Sequence, residues 1–300
     1  MHIKNMSPST IQGAILATMS AFIMSVLMAI AKKLPEEIPT SLVLFIRCLF
    51  MLLFSLPLLI RNPRGLLKSD QYLLHGLQIV LGVCATLCTY YTYRHLPVTL
   101  ATSLGMTGAL FTTVLSVIIL KDAVDRIKWL CIFVGYLGTL CIIQPGAISF
   151  DIGIITALLA NLLAGFGTIT SKILSKKVDR LAIITYNALG MTTIFGFLSY
   201  PHWHLLHQKI LFLLACMGAL ALGCSYCYLT ALKKASPSFL APFEYTRLIF
   251  ALAIGFVLFD ELPNLYTVLG GIMIVAATYI ITYRDNRQTN KSSTSQEQSI

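Results

Sequence analysis

Long apolar segments alternate with short polar connections along almost the whole chain. Ten candidate spans follow from the pattern: Ile11–Ala31, Ser41–Ile60, Tyr72–Tyr93, Val98–Leu120, Trp129–Ile143, Ile152–Ile169, Leu181–Tyr200, Ile210–Leu232, Phe239–Phe259 and Leu265–Tyr283. Most reach the roughly 17–25 residues that a helix needs to cross about 30 Å of hydrocarbon. The fifth is short and is expected to extend into a flank. Barrel strands would be about ten residues long and alternate in polarity, so the pattern predicts helices. The connections leave no room for a soluble domain.

Two stretches, 13–122 and 153–261, echo one another. Gly13 and Gly153, Lys32 and Lys172, Cys84 and Cys224, Pro97 and Pro237, and Ala101 and Ala241 pair at a spacing of 140, and Asp122 pairs with Glu261 at 139. Each copy holds five spans, an odd number, so the second copy must sit upside down relative to the first. The expected fold is therefore all-α and membrane-embedded, with ten transmembrane helices arranged as two inverted five-helix repeats. Residues 1–10 form a cytoplasmic N-terminus, 11–143 the first repeat, 144–151 an outer loop and 152–283 the second repeat. The polar stretch 284–300, rich in Ser, Thr, Asn and Gln, predicts a disordered cytoplasmic tail.

Composition agrees: 57% of residues are hydrophobic and 11% charged, more apolar surface than a soluble chain of 300 residues could hide in one core. The net charge of +10 could suggest a polyanion partner, but its distribution argues otherwise. With the N-terminus in the cytoplasm, sixteen Lys and Arg outside the spans fall on the cytoplasmic side. Four fall outside, namely Lys32, Lys33, Arg94 and Lys209. That bias orients both termini to the cytoplasm and removes the need for a nucleic-acid partner. All eight cysteines lie inside spans, where they read as small packing residues rather than as a disulfide framework. Ile11–Ala31 is too long for the apolar core of a cleavable signal.

Charges inside hydrocarbon carry the functional signal. Arg47 lies in the second span, where a mid-helix Arg costs roughly 2.5–3.5 kcal/mol. Two readings stand: it faces a cavity, or it snorkels to the outer interface. The ninth span carries Glu244 and Arg247, three apart and so on one helical face, just after a helix-bending Pro242. A kinked helix bearing both signs of charge fits a solute site between repeats. An internal, self-neutralising pair is the plain alternative. Its repeat partner, the fourth span, offers Thr99, Thr102, Ser103, Gly105, Thr107 and Gly108, suited equally to close helix packing and to ligand contact. Tyr90 and Tyr226, at equivalent ends of the third and eighth spans, are either cavity walls or part of an aromatic belt. Tyr245 adjoins Glu244. Asn161, Gln12, Gln78 and His75 are further polar groups without an assigned role. His202, His204 and His207 in an outer loop read as an interfacial turn, so no metal or cofactor is expected.

These features resemble the drug/metabolite transporter superfamily, EamA-type. The matching stretches are Ile118–Asp122 leading to Trp129 and Gly135 in one copy. In the other they are Ser236-Pro237, Leu240–Phe243, Tyr245, Phe259-Asp260-Glu261 and Gly270-Gly271. Arg47 stands where the family often has an Arg. Asp122 replaces a usual Glu and Ala109 a frequent Pro, which weakens the expectation of a helix bend in the first half and leaves the fold expectation standing. The resemblance implies a carrier, not an enzyme, multi-pass in the cell inner membrane. It also implies a central cavity lined by the third, fourth, eighth and ninth helices. The Ala241-Pro242 stretch is similar to a branch that takes up S-adenosylmethionine, although the acidic and basic residues of the ninth helix stand there in opposite order.

The expected function is alternating-access secondary transport of a small amino-acid-like or S-adenosylmethionine-like zwitterion, with a drug or metabolite exporter of the same fold as the alternative. The expected substrate contacts are Arg47, Tyr90, Ser103, Thr107, Tyr226, Glu244, Tyr245 and Arg247. Glu244 would accept hydrogen bonds from a cationic group and an Arg would bind a carboxylate. Arg247 beside Glu244 favours a charged carboxylate, hence facilitation or exchange over proton coupling. A membrane-embedded enzyme would need a nucleophile–base pair or metal cluster at depth, and a scaffold would add a soluble domain; neither signature is present.

Overall fold

The structure is a computed structural model that describes residues 8–32, 34–35, 37–60, 70–96, 101, 104–122, 124–143, 152–201, 208–259, 265–266 and 268–280. It is helical, with no strand among the described residues. The helices are α1 (Pro8–Lys32), α2 (Thr40–Ile60), α3 (Tyr72–His95), α4 (Gly108–Leu120), α5 (Arg126–Ile143), α6 (Ile152–Lys177), α7 (Arg180–Ser199), α8 (Gln208–Lys234), α9 (Thr246–Phe259) and α10 (Val268–Ile280). Six of them, α1, α2, α3, α6, α7 and α8, are long and apolar enough to cross a membrane; α4 and α10 are shorter apolar helices. Leu73, Phe197 and Val257 stand exposed on the outside of the bundle, a surface that suits lipid rather than water. The fifth span gains a turn at its start, as its shortness suggested. The connection 144–151, the tail 284–300, Glu261 and the three-histidine loop lie outside the described residues.

Two spans differ from the expectation of continuous helices. The ninth starts at a helical turn, Pro237–Leu240, where the Ser236 hydroxyl caps the Phe239 amide and Pro237 occupies the first turn. It then tightens into a 3-10 stretch, Ala241–Tyr245, before α9 begins. Pro242, with no N–H to give, accounts for that change of pitch. The fourth span breaks as well, at the turn Met106–Thr107, although it has no proline there. The departures from the family pattern weaken the expectation of a bend in this half, and the turn interrupts the helix there. With an offset of 140, Met106–Thr107 correspond to Thr246–Arg247, the first residues of α9, so the first repeat breaks just past the position where the 3-10 stretch of the second repeat ends.

Packing crosses between the repeats. α3 packs on α6 as α1 packs on α8, and α4 packs on α6 as α9 packs on α1, while α2 meets α7. This scheme is unchanged when the two halves are exchanged. Small polar pairs pin the contacts: Gln78 Nε2 to Ser171 Oγ at 2.8 Å, Thr92 to Thr156 at 3.0 Å, and Ser20 Oγ to the Cys224 carbonyl at 3.2 Å. In hydrocarbon such bonds hold helices that have no hydrophobic drive to associate. α5 and α10 approach so closely that a Cβ on Gly138 would fall 2.8 Å from the Gly270 carbonyl oxygen. Only glycine fits that crossing. The main core, which includes Leu42, Leu174, Ile183, Leu214 and Leu232, draws on helices of both repeats.

Candidate functional site

Where the exchanged helices meet they leave a cavity of about 480 Å³. Its walls come from both repeats. α1 contributes Ala17, Ser20, Ala21, Met24 and Met28, and α6 contributes Ala157, Ala160, Asn161, Ala164 and Thr168. These two sets are offset by 140 residues at every position, so the cavity is bounded by repeat-equivalent faces. α3 adds Thr89 and Thr92, the fourth span adds Ala101, Gly105, Gly108 and Thr112, and α8 adds Cys224 and Tyr228. Leu240, Glu244 and Arg247 complete it.

The break in the ninth span is what puts charge there. Glu244 sits in the 3-10 stretch and Arg247 in the first turn of α9, and both line the cavity. Glu244 Oε1 accepts a hydrogen bond from the Tyr228 hydroxyl at 3.1 Å. The Arg247 guanidinium reaches to 3.9 Å from Met106 Sδ, in the broken part of the fourth span. A sulfur is a weak acceptor, so the guanidinium keeps strong donor capacity for an anion. One void therefore presents a carboxylate and a guanidinium among hydroxyls, methyls and thioethers.

One end of the assembly is tied by polar contacts between the two packing groups. Asp122 Oδ2 accepts from Ser238 Oγ at 3.0 Å and from Ser116 Oγ, while Lys172 Nζ donates to the Ala235 carbonyl at 2.7 Å and to the Leu232 carbonyl. Lys172 thus caps orphan carbonyls at the end of α8. Asp122 follows α4, whose cap, Lys121, adopts a left-handed conformation with φ 56°.

The other residues singled out by sequence are scattered. Thr107 is buried beside the cavity and accepts from Asn161 Nδ2 at 3.2 Å. Tyr245 is 1% exposed and packs outside the cavity wall, its ring so near Gly135 that a Cβ there would meet it at 2.7 Å. Tyr226 lies exposed on α8 with the Arg180 guanidinium 4.9 Å from its ring centre. Arg47 is half-buried on α2 and is not among the wall residues; its Nε is buried without a hydrogen-bond partner among the described residues. Ser103 and the Tyr90 side chain lie outside the described residues. Sequence reasoning missed the walls from α1 and α6, and it missed Tyr228 as the partner of Glu244. The signal was present: positions 17, 20, 21, 24 and 28 share one helical face, and so do their counterparts 140 residues on.

Comparison with known proteins agrees with this architecture. The chain is 25% identical over 275 residues to an S-adenosylmethionine uptake transporter of Rickettsia conorii, covering 89% of this chain and 91% of the relative. It is 25% identical to a riboflavin transporter of Brucella anthropi, covering 83% and 90%. It is 23% identical to a pseudopaline exporter of Pseudomonas aeruginosa, covering 88% and 94%. A solved crystal structure superposes with a TM-score of 0.78 at 12% identity, covering 90% of this chain and 98% of that one, which shows a shared fold. Residues 11–144 and 151–283 each match one transporter family, so the duplicated halves seen in the packing are two copies of its unit, and the protein belongs to the EamA-like transporter family.

Proposed function

We propose that this chain is a secondary transporter that carries a small zwitterionic organic solute through the central cavity by alternating access. The observation that carries this reading is that Glu244 and Arg247 line one void of about 480 Å³ between repeat-equivalent walls. A cationic group of the solute sits at Glu244 and an anionic group at Arg247, each by a charge-assisted hydrogen bond. S-adenosylmethionine, the solute in the name of the Rickettsia conorii relative, has this character, with a sulfonium, an ammonium and a carboxylate on one molecule. The ten spans form two inverted repeats in the inner membrane with both termini cytoplasmic, as the sixteen-to-four bias favours.

With that orientation the Asp122–Ser238 and Lys172 ties lie on the cytoplasmic side. Wall residues such as Met28, Thr92 and Ala157 lie toward the opposite ends of their helices. These contacts support reading the arrangement as one closed toward the cytoplasm. Uptake of labelled S-adenosylmethionine, riboflavin and amino acids into proteoliposomes tests the reading. Saturable uptake of a zwitterion that is lost in Glu244→Gln supports it. Transport that is indifferent to Glu244→Gln sinks it.

A further inference from the structure

We propose that Asn161 is a positioning residue for the cavity: from α6 of the second repeat it holds the interrupted turn of the fourth span in the first repeat, while Ser25 anchors the start of α9 from α1. Asn161 Nδ2 lies 2.8 Å from the Leu104 carbonyl oxygen, 3.0 Å from the Ala157 carbonyl oxygen and 3.2 Å from Thr107 Oγ1. Two of these partners are obligate acceptors, so the amide nitrogen must face them; the network fixes the orientation of the carboxamide. The oxygen then faces Gly108, where an added Cβ would come to 3.2 Å from it. Asn161 and Gly108 both line the cavity.

The chemistry explains why an amide stands at this place. Within the turn the Leu104 carbonyl accepts from the Thr107 amide at 3.0 Å and the Thr107 hydroxyl at 2.7 Å, and Asn161 adds a donor from a neighbouring helix, which is how broken helices are held in hydrocarbon. Leu104 precedes the turn Met106–Thr107 and Thr107 belongs to it, and a carboxamide brings two N–H groups to that edge. In the other half, the single Ser25 hydroxyl proton lies between two acceptors, the Arg247 carbonyl at 2.8 Å and the Ala21 carbonyl at 3.0 Å from Oγ. Arg247 is the repeat counterpart of Thr107. The Arg247 carbonyl belongs to the first turn of α9, just beyond the 3-10 stretch, so Ser25, from the first helix of the opposite repeat, anchors the start of α9. Asn161 fixes where Gly105 and Gly108 stand on the wall, and Ser25 fixes Arg247.

The test uses hydrogen–deuterium exchange on the full-length protein in nanodiscs, with thermal unfolding as a check on folding. Asn161→Ala and Asn161→Leu should raise exchange in the peptide covering 104–112 at least tenfold and leave 243–252 unchanged. Ser25→Ala should do the reverse. Asn161→Leu fills the same volume without a donor, so it decides where Asn161→Ala does not fold.

A second arm measures uptake of labelled S-adenosylmethionine into proteoliposomes. Asn161→Leu should raise KM at least fivefold with Vmax within twofold. That arm rests on the transport reading. A wild type that carries no S-adenosylmethionine fails the choice of solute, while the exchange arm still decides Asn161. Unchanged exchange in the Asn161 variants, or an unchanged KM beside a wild type that transports, would overturn the proposal.

Discussion

The Tyr228 hydroxyl donates to Glu244 Oε1 across 3.1 Å, joining α8 to the 3-10 opening of the ninth span at the cavity wall. A hydrogen bond to a charged group contributes about 1.5–3 kcal/mol, and a carboxylate aimed at a cation depends on being held in place. Tyr228→Phe keeps the ring and removes only the donor. It should lower kcat/KM for the transported zwitterion about tenfold while yield and unfolding temperature stay near wild type, as measured by initial uptake rates in proteoliposomes.

Glu244 and Arg247 separate a structural role from a functional one through a double substitution. If the two charges serve the solute, Glu244→Gln and Arg247→Gln each abolish uptake in a folded protein, and the double variant regains nothing. A purely structural pair gives the opposite pattern, with poor yield for the singles and recovery in the double, because a lone charge at depth is costly. Purified yield and uptake measured on all three variants decide it, and the functional pattern is expected.

The Asp122–Ser238 contact joins the end of α4 to the start of the ninth span. Asp122→Ala and Ser238→Ala should each loosen that end, and their combination should add little to either single, the sign of a shared interaction. A cysteine placed at Leu240, with the eight native cysteines replaced, should then react severalfold faster with reagent from the cytoplasmic side. An unchanged rate would remove the contact from any gating role.

Topology gives the broadest test. A cysteine placed at Asn290, in the same background, should be labelled by an impermeant reagent only when the cytoplasmic face is exposed. Labelling in intact cells would reverse the orientation and, with it, the side on which the Asp122 and Lys172 contacts lie.

The spans were readable from sequence because hydrocarbon imposes a one-dimensional rule, a long apolar run closed on itself by helical hydrogen bonds. Arg126–Ile143 could be extended from its short core for that reason, and Glu244 and Arg247 stood out because charge in such a run is costly. The walls were harder. Ala17, Ala21, Ala157 and Ala160 serve helix packing and cavity lining with the same small side chains, so their type does not separate the roles. Tyr228 and Tyr226 differ only in rotation about α8: one points to Glu244, the other to the Arg180 side. That phase is a tertiary fact. The break at Thr107 was hidden for a similar reason, since its side-chain contact is Asn161, fifty-four residues away, and there is no local proline.

The exchanged packing also governs how the chain is made. α3 and α4 leave the ribosome before α6, the helix they pack against, has been translated, and α1 precedes its partners α8 and α9 by most of the chain. Helices of the first half must wait in the bilayer with their contact faces turned to lipid. Small residues and hydroxyls on most of those faces make the wait tolerable, with Gln78 of α3 the long polar side chain that must wait for Ser171. Assembly is therefore completed only after the last helices are inserted. A nascent chain stalled before Gln208 holds α1 with neither of its main partners, and quality control would meet it as loose helices rather than as half a transporter.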